Sequence, residues 1–297
     1  MKIALGPLLH YWPRDAVYAF YDEIANSAAD VVYLGDVVCS RRRELRLEQW
    51  LEIAQRLERA GKEIVLSTLA LIESEADLRG LRKVVGNLRF RVEANEWGAV
   101  RLLQGQTPFV AGPHLNIYNP ATLSLLAKLG ACRWVAPVEI TREALSGLQE
   151  AQLQAVETEI FAYGSVPLAF SARCFTARHY NVPKDTCGFP CLDHPGGLAL
   201  ATREDQPLLI LNGTQTLSAA TYNLLGEAAT LREMGVNVLR VSPQPQGTAE
   251  VLRAFRRWAD GELSSAQAAD GAAAQAGVCC NGFWHGRAGM EFVSGAR

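Results

Sequence analysis

Short apolar runs alternate with longer amphipathic stretches along almost the whole of this chain. The short runs are rich in β-branched residues and the longer stretches carry apolar residues at helical spacing, a combination typical of βα units in a parallel sheet. Eight runs are predicted to be strands: Lys2–Leu5, Val31–Leu34, Glu63–Ser67, Phe90–Val92, Phe109–Ala111, Arg133–Val135, Glu159–Phe161 and Asn237–Val241. Helices are predicted between them at Arg14–Asn26, Leu47–Ala60, Glu73–Val84, Pro120–Leu129 and Arg142–Leu148.

Eight strands that alternate with helices predict a closed (β/α)8 barrel of the TIM type. An open, doubly wound sheet contains the same elements and is the alternative. The chain has 297 residues, the length of one such barrel, and 49% of them are apolar, which is enough for a large core. In a barrel the loops that follow the strands meet at one face, so any site is expected there.

One segment departs from the alternation. Between the seventh strand and a helix predicted near Ser218–Met234 lie more than fifty residues, too many for an ordinary loop. We therefore predict an insertion after strand seven, at 165–215. Within it, Leu198–Arg203 and Leu208–Asn212 are two β-like runs that are expected to pair as a hairpin.

The domain limits follow from this pattern. The barrel with its insertion is predicted over 1–262 as a single domain. The remaining residues, 263–297, begin with an Ala/Gln/Gly-rich linker and end in a stretch that contains C-C-N-G-F-W-H. That stretch is too apolar for a free tail, so we expect it to dock on the barrel or on a partner.

Three of the seven cysteines lie close together in the predicted insertion. They are Cys174, Cys187 and Cys191, spaced C-x12-C-x3-C in a stretch rich in turn-forming residues. Thiols gathered on a loop are most often ligands of zinc or of an iron–sulfur cluster. Cys39 is the favoured fourth ligand, because it follows the second strand and so lies on the same barrel face as the insertion. Cys280 remains the alternative.

The spacing also bears on the type of metal site. Structural zinc sites usually contain two close cysteine pairs, whereas here only Cys187 and Cys191 form one. The dispersed pattern favours a 4Fe–4S cluster without excluding zinc. Cys132 precedes the sixth strand, on the opposite face of the barrel, and is predicted to be a small buried residue.

Charge and hydropathy exclude several classes of partner. The net charge of −2 gives no reason to expect binding to nucleic acid. No apolar run approaches the roughly 20 residues that span a bilayer, and the N-terminal apolar run is too short for a signal peptide. We therefore predict a cytoplasmic protein without a membrane span, whose cysteines stay reduced.

Polar residues after the predicted strands are candidates for chemistry. Glu93 follows the fourth strand, and His114 and Asn116 follow the fifth. His114 is the first choice for an acid–base or substrate-orienting group, because histidine titrates near neutral pH. A histidine that is hydrogen-bonded within a packed loop is an equally good interpretation.

Two groups of arginines lie beside the candidate ligands. Arg173 precedes Cys174 and is a candidate for binding a carboxylate or for stabilising the negative charge of a cluster. The run Arg41–Arg43 lies beside Cys39, and we expect it to be a solvated loop.

The stretch at 159–178 resembles the signature of the collagenase-like peptidase family. Here it is E-I-F-A-Y-G-S-V-P-L-A-F-S-A-R-C-F-T-A-R, where the family typically has E-x-F-x-H-G-A-x-C-x-x-x-S-G-x-C. Tyr163 replaces the usual His, and Pro167 replaces the first Cys. A missing ligand at Pro167 with an added Cys39 is similar to the branch of that family that acts in ubiquinone biosynthesis. The runs G-P-H-L-N-I-Y-N and C-N-G-F-W-H are similar to that branch as well.

The resemblance implies a 4Fe–4S subunit of an oxygen-independent hydroxylase, with catalysis requiring a homologous partner subunit in a heterodimer. The substrate implied is the ring of a polyprenyl-phenol precursor, and the oxygen donor is prephenate. The ligands implied are Cys39, Cys174, Cys187 and Cys191. A polyprenyl tail is insoluble, so we also expect a lipid-carrier protein or other ubiquinone biosynthesis proteins as partners.

Two other activities remain open. One is a peptidase, as the name of the family suggests, although the sequence has no local signature of a nucleophile–base pair or of a hydrolytic zinc site. The other is an RNA-hydroxylating enzyme, since relatives in the family modify RNA. The chain lacks the strongly basic balance that RNA binding usually requires.

Overall fold

Eight parallel strands close into a barrel in the computed structural model, which describes residues 1–150, 156–264 and 277–294. The barrel strands are β1 (Lys2–Leu5), β2 (Val31–Leu34), β3 (Glu63–Ser67), β4 (Arg91–Ala94), β5 (Phe109–Ala111), β6 (Ala131–Val135), β7 (Glu157–Phe170) and β11 (Val238–Val241). Neighbours in the chain pair with each other, and β11 closes the ring by pairing with both β7 and β1. The predicted (β/α)8 barrel is confirmed, and the open sheet is excluded.

Helices pack around the barrel, each with one apolar face turned inward. They are α1 (Arg14–Ala25), α2 (Leu47–Arg59), α3 (Glu75–Val85), α4 (Trp97–Leu103), α5 (Pro120–Lys128), α6 (Arg142–Glu150) and α9 (Thr248–Ala259). The predicted helices are confirmed to within a turn at each end, but α4 was not predicted. Its seven residues are too few for a visible period, and it begins where the Glu96 carboxylate accepts hydrogen bonds from the backbone N–H groups of Gly98 and Ala99.

The segment between β7 and β11 contains further elements: α7 (Phe175–His179), β8 (Leu198–Ala201), β9 (Pro207–Asn212), β10 (Gln215–Asn223) and α8 (Ala228–Glu233). Strands β8 and β9 pair antiparallel, which confirms the predicted hairpin. The helix predicted near Ser218–Met234 is wrong over its first part. There β10 is a strand, because it pairs with β9 on one side and with the second half of β7 on the other.

Strand β7 is therefore much longer than the predicted Glu159–Phe161, since its second half leaves the barrel to pair with β10. Near the C-terminus, β12 (Cys279–Cys280) pairs with β10, and the side chain of Trp284 is fully buried. Most of the predicted linker lies outside the described residues. In the described ranges no helix is long and apolar enough to cross a membrane.

The interior of the barrel holds a network of charged side chains. Arg240 donates from Nε to Glu159 (2.6 Å) and from Nη2 to Glu93 (2.8 Å). The other oxygen of the Glu159 carboxylate accepts from the Tyr33 hydroxyl at 2.5 Å, and Arg133 lies 3.7 Å from it. Glu93 and Glu159 are completely buried, so both carboxylates depend on these cations and donors for their solvation.

The same network reaches the other end of the barrel. Arg133 forms ion pairs with Glu63 at 2.9 Å and with Glu157 at 2.7 Å. Lys2 on β1 forms ion pairs with the same two carboxylates at 3.1 and 3.4 Å. Because side chains alternate across a strand, these charges occupy inward positions while apolar residues of the same strands face the helices.

We expect Arg240→Met to lower the free energy of unfolding by about 3–5 kcal/mol, because it leaves two buried carboxylates with one cation fewer. Urea denaturation at pH 7 measures the change. The control is Arg82→Met, since Arg82 pairs with Glu75 at 2.9 Å on the surface. Arg82→Met should lower the free energy of unfolding by less than about 1 kcal/mol. Similar losses in the two variants would contradict a structural role for the network.

Candidate metal centre and adjoining cleft

Four cysteines lie on loops at the end of the barrel where the strands finish, and all four are half-buried. Cys39 follows β2, and Cys174 precedes α7, where its sulfur accepts a hydrogen bond from the backbone N–H of Ala177 at 3.4 Å. Cys187 follows a short 3-10 turn, and Cys191 lies within a second one. These four cysteines are the ligands predicted from the sequence.

The four thiols are electrostatic neighbours. Burial raises the pKa of Cys174, and the nearby Cys39 and Cys187 raise it further. Burial also raises the pKa of Cys191, where Arg42 acts in the opposite direction and the other three thiols add to the rise. The structure thus brings the four together, and their role as ligands stays a prediction.

The remaining cysteines lie elsewhere. Cys132 is part of β6, and its thiol contacts the backbone carbonyl of Phe109 at 3.3 Å. Cys279 and Cys280 form β12, where Cys280 is buried beneath the strand pair. The neighbours that shift the pKa values of these three thiols are outside the four-cysteine group.

The arrangement of the thiols distinguishes between kinds of metal group. Among the described residues, no three His, Cys, Asp or Glu side chains are close enough to hold one metal ion. Tetrahedral zinc, with Zn–S bonds of about 2.3 Å, would need its sulfurs within about 4 Å of one another. A 4Fe–4S cluster binds its cysteines at separate corners of a larger cube. As placed in this structure, the four thiols are neighbours but do not form the close group that a single zinc ion requires.

Arg42 places a positive charge beside these thiols. Its side chain is only 5% exposed; it donates to the Leu9 carbonyl and to the Asn212 amide oxygen (2.6 Å) and lies over the Tyr11 ring (5.4 Å). In the described part of the chain no carboxylate forms an ion pair with Arg42, and its Nε has no hydrogen-bond partner. Asp36 is nearby, but burial raises its pKa to about 7, against a lowering by Arg42. A buried cation without a full counter-charge is costly, so this position favours an anionic group at the thiols.

A tight turn between β9 and β10 fixes the site. Thr214 donates from its hydroxyl to the carbonyl of Val38 at 2.6 Å, and the backbone N–H of Gly213 donates to the Thr176 hydroxyl at 3.0 Å. Gly213 has a φ of +66°, and a Cβ there would lie 3.1 Å from Nη2 of Arg42. Both constraints require glycine, and the turn connects the loop after β2 with α7.

The run Arg41–Arg43 was expected to be a solvated loop, and for Arg42 that expectation is wrong. Arg41 forms an ion pair with Asp185, in the turn that precedes Cys187. Only Arg43 is fully exposed. The three consecutive arginines differ because the backbone turns here, so that the middle side chain enters the protein while its neighbours do not.

A cleft of about 270 Å³ opens at the same end of the barrel, near the thiols. Its lining comes from the loops after β3, β5 and β6 and from the second half of β7, and includes His114, Asn116, Tyr118, Glu139, Pro167 and Phe170. The rings of Phe170 and His114 meet edge to face, with centroids 4.7 Å apart. Phe170 and Cys39 both pack against one buried apolar cluster, which connects the cleft with the loop that carries Cys39.

His114 is the titratable group best placed in the cleft. Its pKa is lowered to about 4, mainly by burial. Arg240 contributes to the lowering, and Glu93 acts against it. The imidazole is therefore neutral at pH 7 and is able to accept a proton or a hydrogen bond. The sequence prediction that His114 lies at the functional end of the barrel is compatible with this position, and its catalytic role stays a prediction.

The other three candidates occupy different environments. Glu93 is fully buried, and although burial alone would raise its pKa, Arg240 and two hydrogen bonds hold that pKa below its usual value. It is thus an ionised member of the barrel network. Asn116 is exposed at the cleft, in a left-handed backbone conformation (φ 55°). Arg173 is exposed beside Cys174, in a shallow groove that Arg178 and Lys184 also line.

Stability should depend on the protonation of His114. Its pKa is about 4 in the folded protein and 6.5 in the absence of burial, so protonation favours the unfolded chain. The contribution is fully present above pH 6.5 and is lost as the pH falls towards 4. We expect His114→Phe to lose less stability over this interval than the unmodified protein, as measured by urea denaturation at pH 7, 5.5 and 4.5. Exposed His179, changed to Gln, is the control, and equal slopes for the His114 variant and the unmodified protein would contradict the assignment.

Comparison with known proteins identifies the family. The family model for peptidase family U32 matches residues 18–290. The solved structure of the U32 peptidase Mk0906 is 12% identical, with 83% of this chain and 94% of that chain covered and a TM-score of 0.46. A DAHP synthase from Thermotoga maritima is 10% identical, with 88% and 69% covered and a TM-score of 0.43. A tryptophan synthase complex from Pyrococcus furiosus is 12% identical, with 90% and 92% covered and a TM-score of 0.40.

Proposed function

The chain belongs to peptidase family U32, and from that premise we propose that it is the iron–sulfur subunit of an oxygen-independent hydroxylase in anaerobic ubiquinone biosynthesis. Within the family it resembles the ubiquinone biosynthesis protein UbiV, whose homologous partner is UbiU. The reaction proposed is hydroxylation of the ring of a polyprenyl-phenol precursor, with prephenate as oxygen donor. The observation that carries the proposal is the grouping of four thiols, one of which, Cys191, lies near the buried guanidinium of Arg42.

In this proposal Cys39, Cys174, Cys187 and Cys191 hold a 4Fe–4S cluster, which supplies one-electron transfer when bound. Four thiolates and a cluster carry net negative charge, and burial of that charge needs a cation within the protein. Arg42 supplies this cation from a fixed position, because Leu9 and Asn212 hold its guanidinium by hydrogen bonds. The protein thus carries the positive counter-charge for the 4Fe–4S cluster before the cluster binds.

The His114 cleft is the proposed place for a ring-sized substrate. A neutral imidazole at its wall is able to orient a phenol hydroxyl by accepting a hydrogen bond from it. Glu139 accepts a hydrogen bond from the Tyr118 hydroxyl at 2.8 Å, which fixes the opposite wall. Arg173 is free to bind a carboxylate of the donor near Cys174. A partner subunit and a lipid carrier would enclose the polyprenyl tail.

The peptidase alternative needs groups that the described residues do not bring together. A Ser or Cys nucleophile requires a histidine base within hydrogen-bond reach. In the described ranges no Ser or Cys side chain is hydrogen-bonded to histidine, and the hydroxyl that is so bonded belongs to Tyr180, 2.5 Å from His194. The described residues also lack a three-ligand site for hydrolytic zinc. The RNA-hydroxylating alternative is disfavoured by the net charge of −2.

Anaerobic purification tests the proposal directly. We expect a brown protein with about four iron and four sulfide per chain. Cys39→Ala and Cys174→Ala should lose both, because each removes a ligand. Cys132→Ala should keep both, since that thiol lies in β6 away from the other four. In cells that lack this protein, ubiquinone should disappear only during growth without oxygen, and the Cys39 variant should fail to restore it.

Three results would point elsewhere. A colourless protein with one zinc per chain would remove the redox role. Intact iron in Cys39→Ala would show that the fourth ligand is another residue; the alternative from the sequence, Cys280, is buried in β12 away from the other three cysteines. Normal anaerobic ubiquinone with altered RNA nucleosides would favour the RNA-hydroxylating alternative.

The role of Arg42 as counter-charge predicts a difference between loaded and apo protein. Arg42→Met should lower the free energy of unfolding of the loaded protein by about 2 kcal/mol more than that of the apoprotein. In the loaded protein the guanidinium pairs with an anionic group, whereas in the apoprotein the thiols are protonated and neutral. For a chain of this size the difference corresponds to about 5 °C in Tm. Circular dichroism of both forms under anaerobic conditions measures it.

The matched control is Arg43→Met, which removes an exposed charge from the next position in the same loop. It should change the two forms equally and by little. If Arg42→Met also lowered the Tm of both forms equally, Arg42 would be a purely structural residue.

A further inference from the structure

Helices α2 and α3 leave an opening between them near the ends of β2 and β3. The neighbouring pairs, α1 with α2 and α3 with α4, are packed more closely than α2 is with α3. A cavity of about 600 Å³ occupies the opening, within the range of about 300–1,000 Å³ typical of small-molecule sites. It shares no lining residue with the His114 cleft.

A glycine contributes to this opening. Gly80 lies in the middle of α3 and lines the cavity, and a Cβ placed on it would meet no atom within 4 Å. Glycine inside a helix costs about 1 kcal/mol relative to alanine, and no positive φ or close backbone approach requires it here. A larger side chain at this position therefore meets no backbone or side-chain obstacle beside the cavity.

The interior of the cavity is apolar apart from a few groups. Its walls include Leu34, Leu66 and Leu81, all of them buried. Trp50 completes the wall; it is 7% exposed, and its indole N–H has no hydrogen-bond partner among the described residues. The carboxyl group of Asp36, which also lines the cavity, lies beside this N–H, and the interaction with Trp50 lowers the pKa of Asp36 against the rise caused by burial. The wall is thus apolar except where Asp36 and the indole N–H of Trp50 face each other.

The rim of the cavity is positively charged. Arg43, Arg46, Arg79 and Lys83 line it and are exposed, and within the described ranges none of them forms an ion pair. Three acidic residues line the cavity, Glu48 and Asp77 at the rim and Asp36 in the wall, so the four cations are in excess. Helices α2 and α3 both begin on this side, so the positive ends of their dipoles add to the charge of the rim.

We propose that this cavity binds a small anionic amphiphile, with an aliphatic or aryl body among the leucines and Trp50 and a carboxylate or phosphate on the basic rim. Burial of the apolar body removes it from water, and the four cations hold the head group. The site is separate from the four thiols, and the proposal does not depend on the proposed function.

Calorimetric titration with four decyl compounds tests the proposal at concentrations below micelle formation. Decanoate and decyl phosphate should bind, and their relative affinity shows which head group the rim prefers. Decanol and decyltrimethylammonium should bind at least about tenfold more weakly, because the rim then gains no charge pair or is repelled. Equal binding of all four compounds would overturn the proposal.

Two pairs of variants locate the site. Gly80→Phe fills the cavity and should abolish binding of decanoate, whereas Gly147→Phe should leave it unchanged, because Gly147 is an equally open glycine in α6 that does not line the cavity. The double change Arg79→Glu and Lys83→Glu should weaken decanoate binding by about tenfold or more. Arg82→Glu on the same helix, whose side chain pairs with Glu75 outside the cavity, should not. Undiminished binding in Gly80→Phe, or in the double variant, would place the ligand elsewhere and contradict the proposal.

Discussion

The guanidinium of Arg42 is buried among neutral hydrogen-bond acceptors, and the functional end of the molecule is organised around it. One side chain connects the loop after β1, through Leu9, with the turn between β9 and β10, through Asn212. Both contacts are made to uncharged oxygens, which orient the cation without neutralising it. Desolvation of an unpaired guanidinium costs several kcal/mol, and folding bears that cost beside four thiols. Asp36, with a pKa of about 7, offsets part of that cost, and in the proposed function an anionic group at the thiols offsets the rest.

Arg240 shows the contrast within the same protein. It is as deeply buried as Arg42, but it pairs with Glu93 and Glu159 at hydrogen-bond distance. Inside the barrel, these ion pairs neutralise the charge of Arg240 and also that of Glu93. A carboxylate held in this way is a poor candidate for proton transfer, because its pKa lies below the usual value. His114 lines the cleft as a neutral imidazole, because burial lowers its pKa to about 4, and a neutral imidazole orients a bound hydroxyl rather than removing its proton.

Much of the fold was predictable, because the spacing of apolar residues within each short segment distinguishes barrel strands from helices. The strands were located to within a few residues, except that β7 continues to Phe170, since its second half is specified by pairing with β10 rather than by its own pattern. For the same reason the pattern predicts a helix from Ser218, where the second part of β10 is a strand. The grouping of Cys39 with the later cysteines was predictable, because both follow the ends of barrel strands.

The burial of Arg42 was not predictable in this way. Three consecutive arginines have the composition of a solvated loop, and which of them turns inward depends on Asn212 and Leu9, both distant in sequence. A signal did exist in the dipeptide Asn212–Gly213, which is typical of a tight hairpin turn. That turn carries the amide oxygen that receives the guanidinium, so recognising it would have directed attention to the partner of the loop after β2.

The position of Pro167 connects the sequence pattern to the site. In the collagenase-like signature a cysteine usually stands there, and in this chain Pro167 lines the His114 cleft. Cys39 and Phe170, which also lines that cleft, pack against the same buried apolar cluster. In the proposed ligand set, Cys39 takes the role of the cysteine that the signature has at the position of Pro167. Pro167 is then left to line a cleft that has a neutral histidine in its wall. A substrate in the cleft and a redox group at the thiols would then be neighbours without sharing ligands.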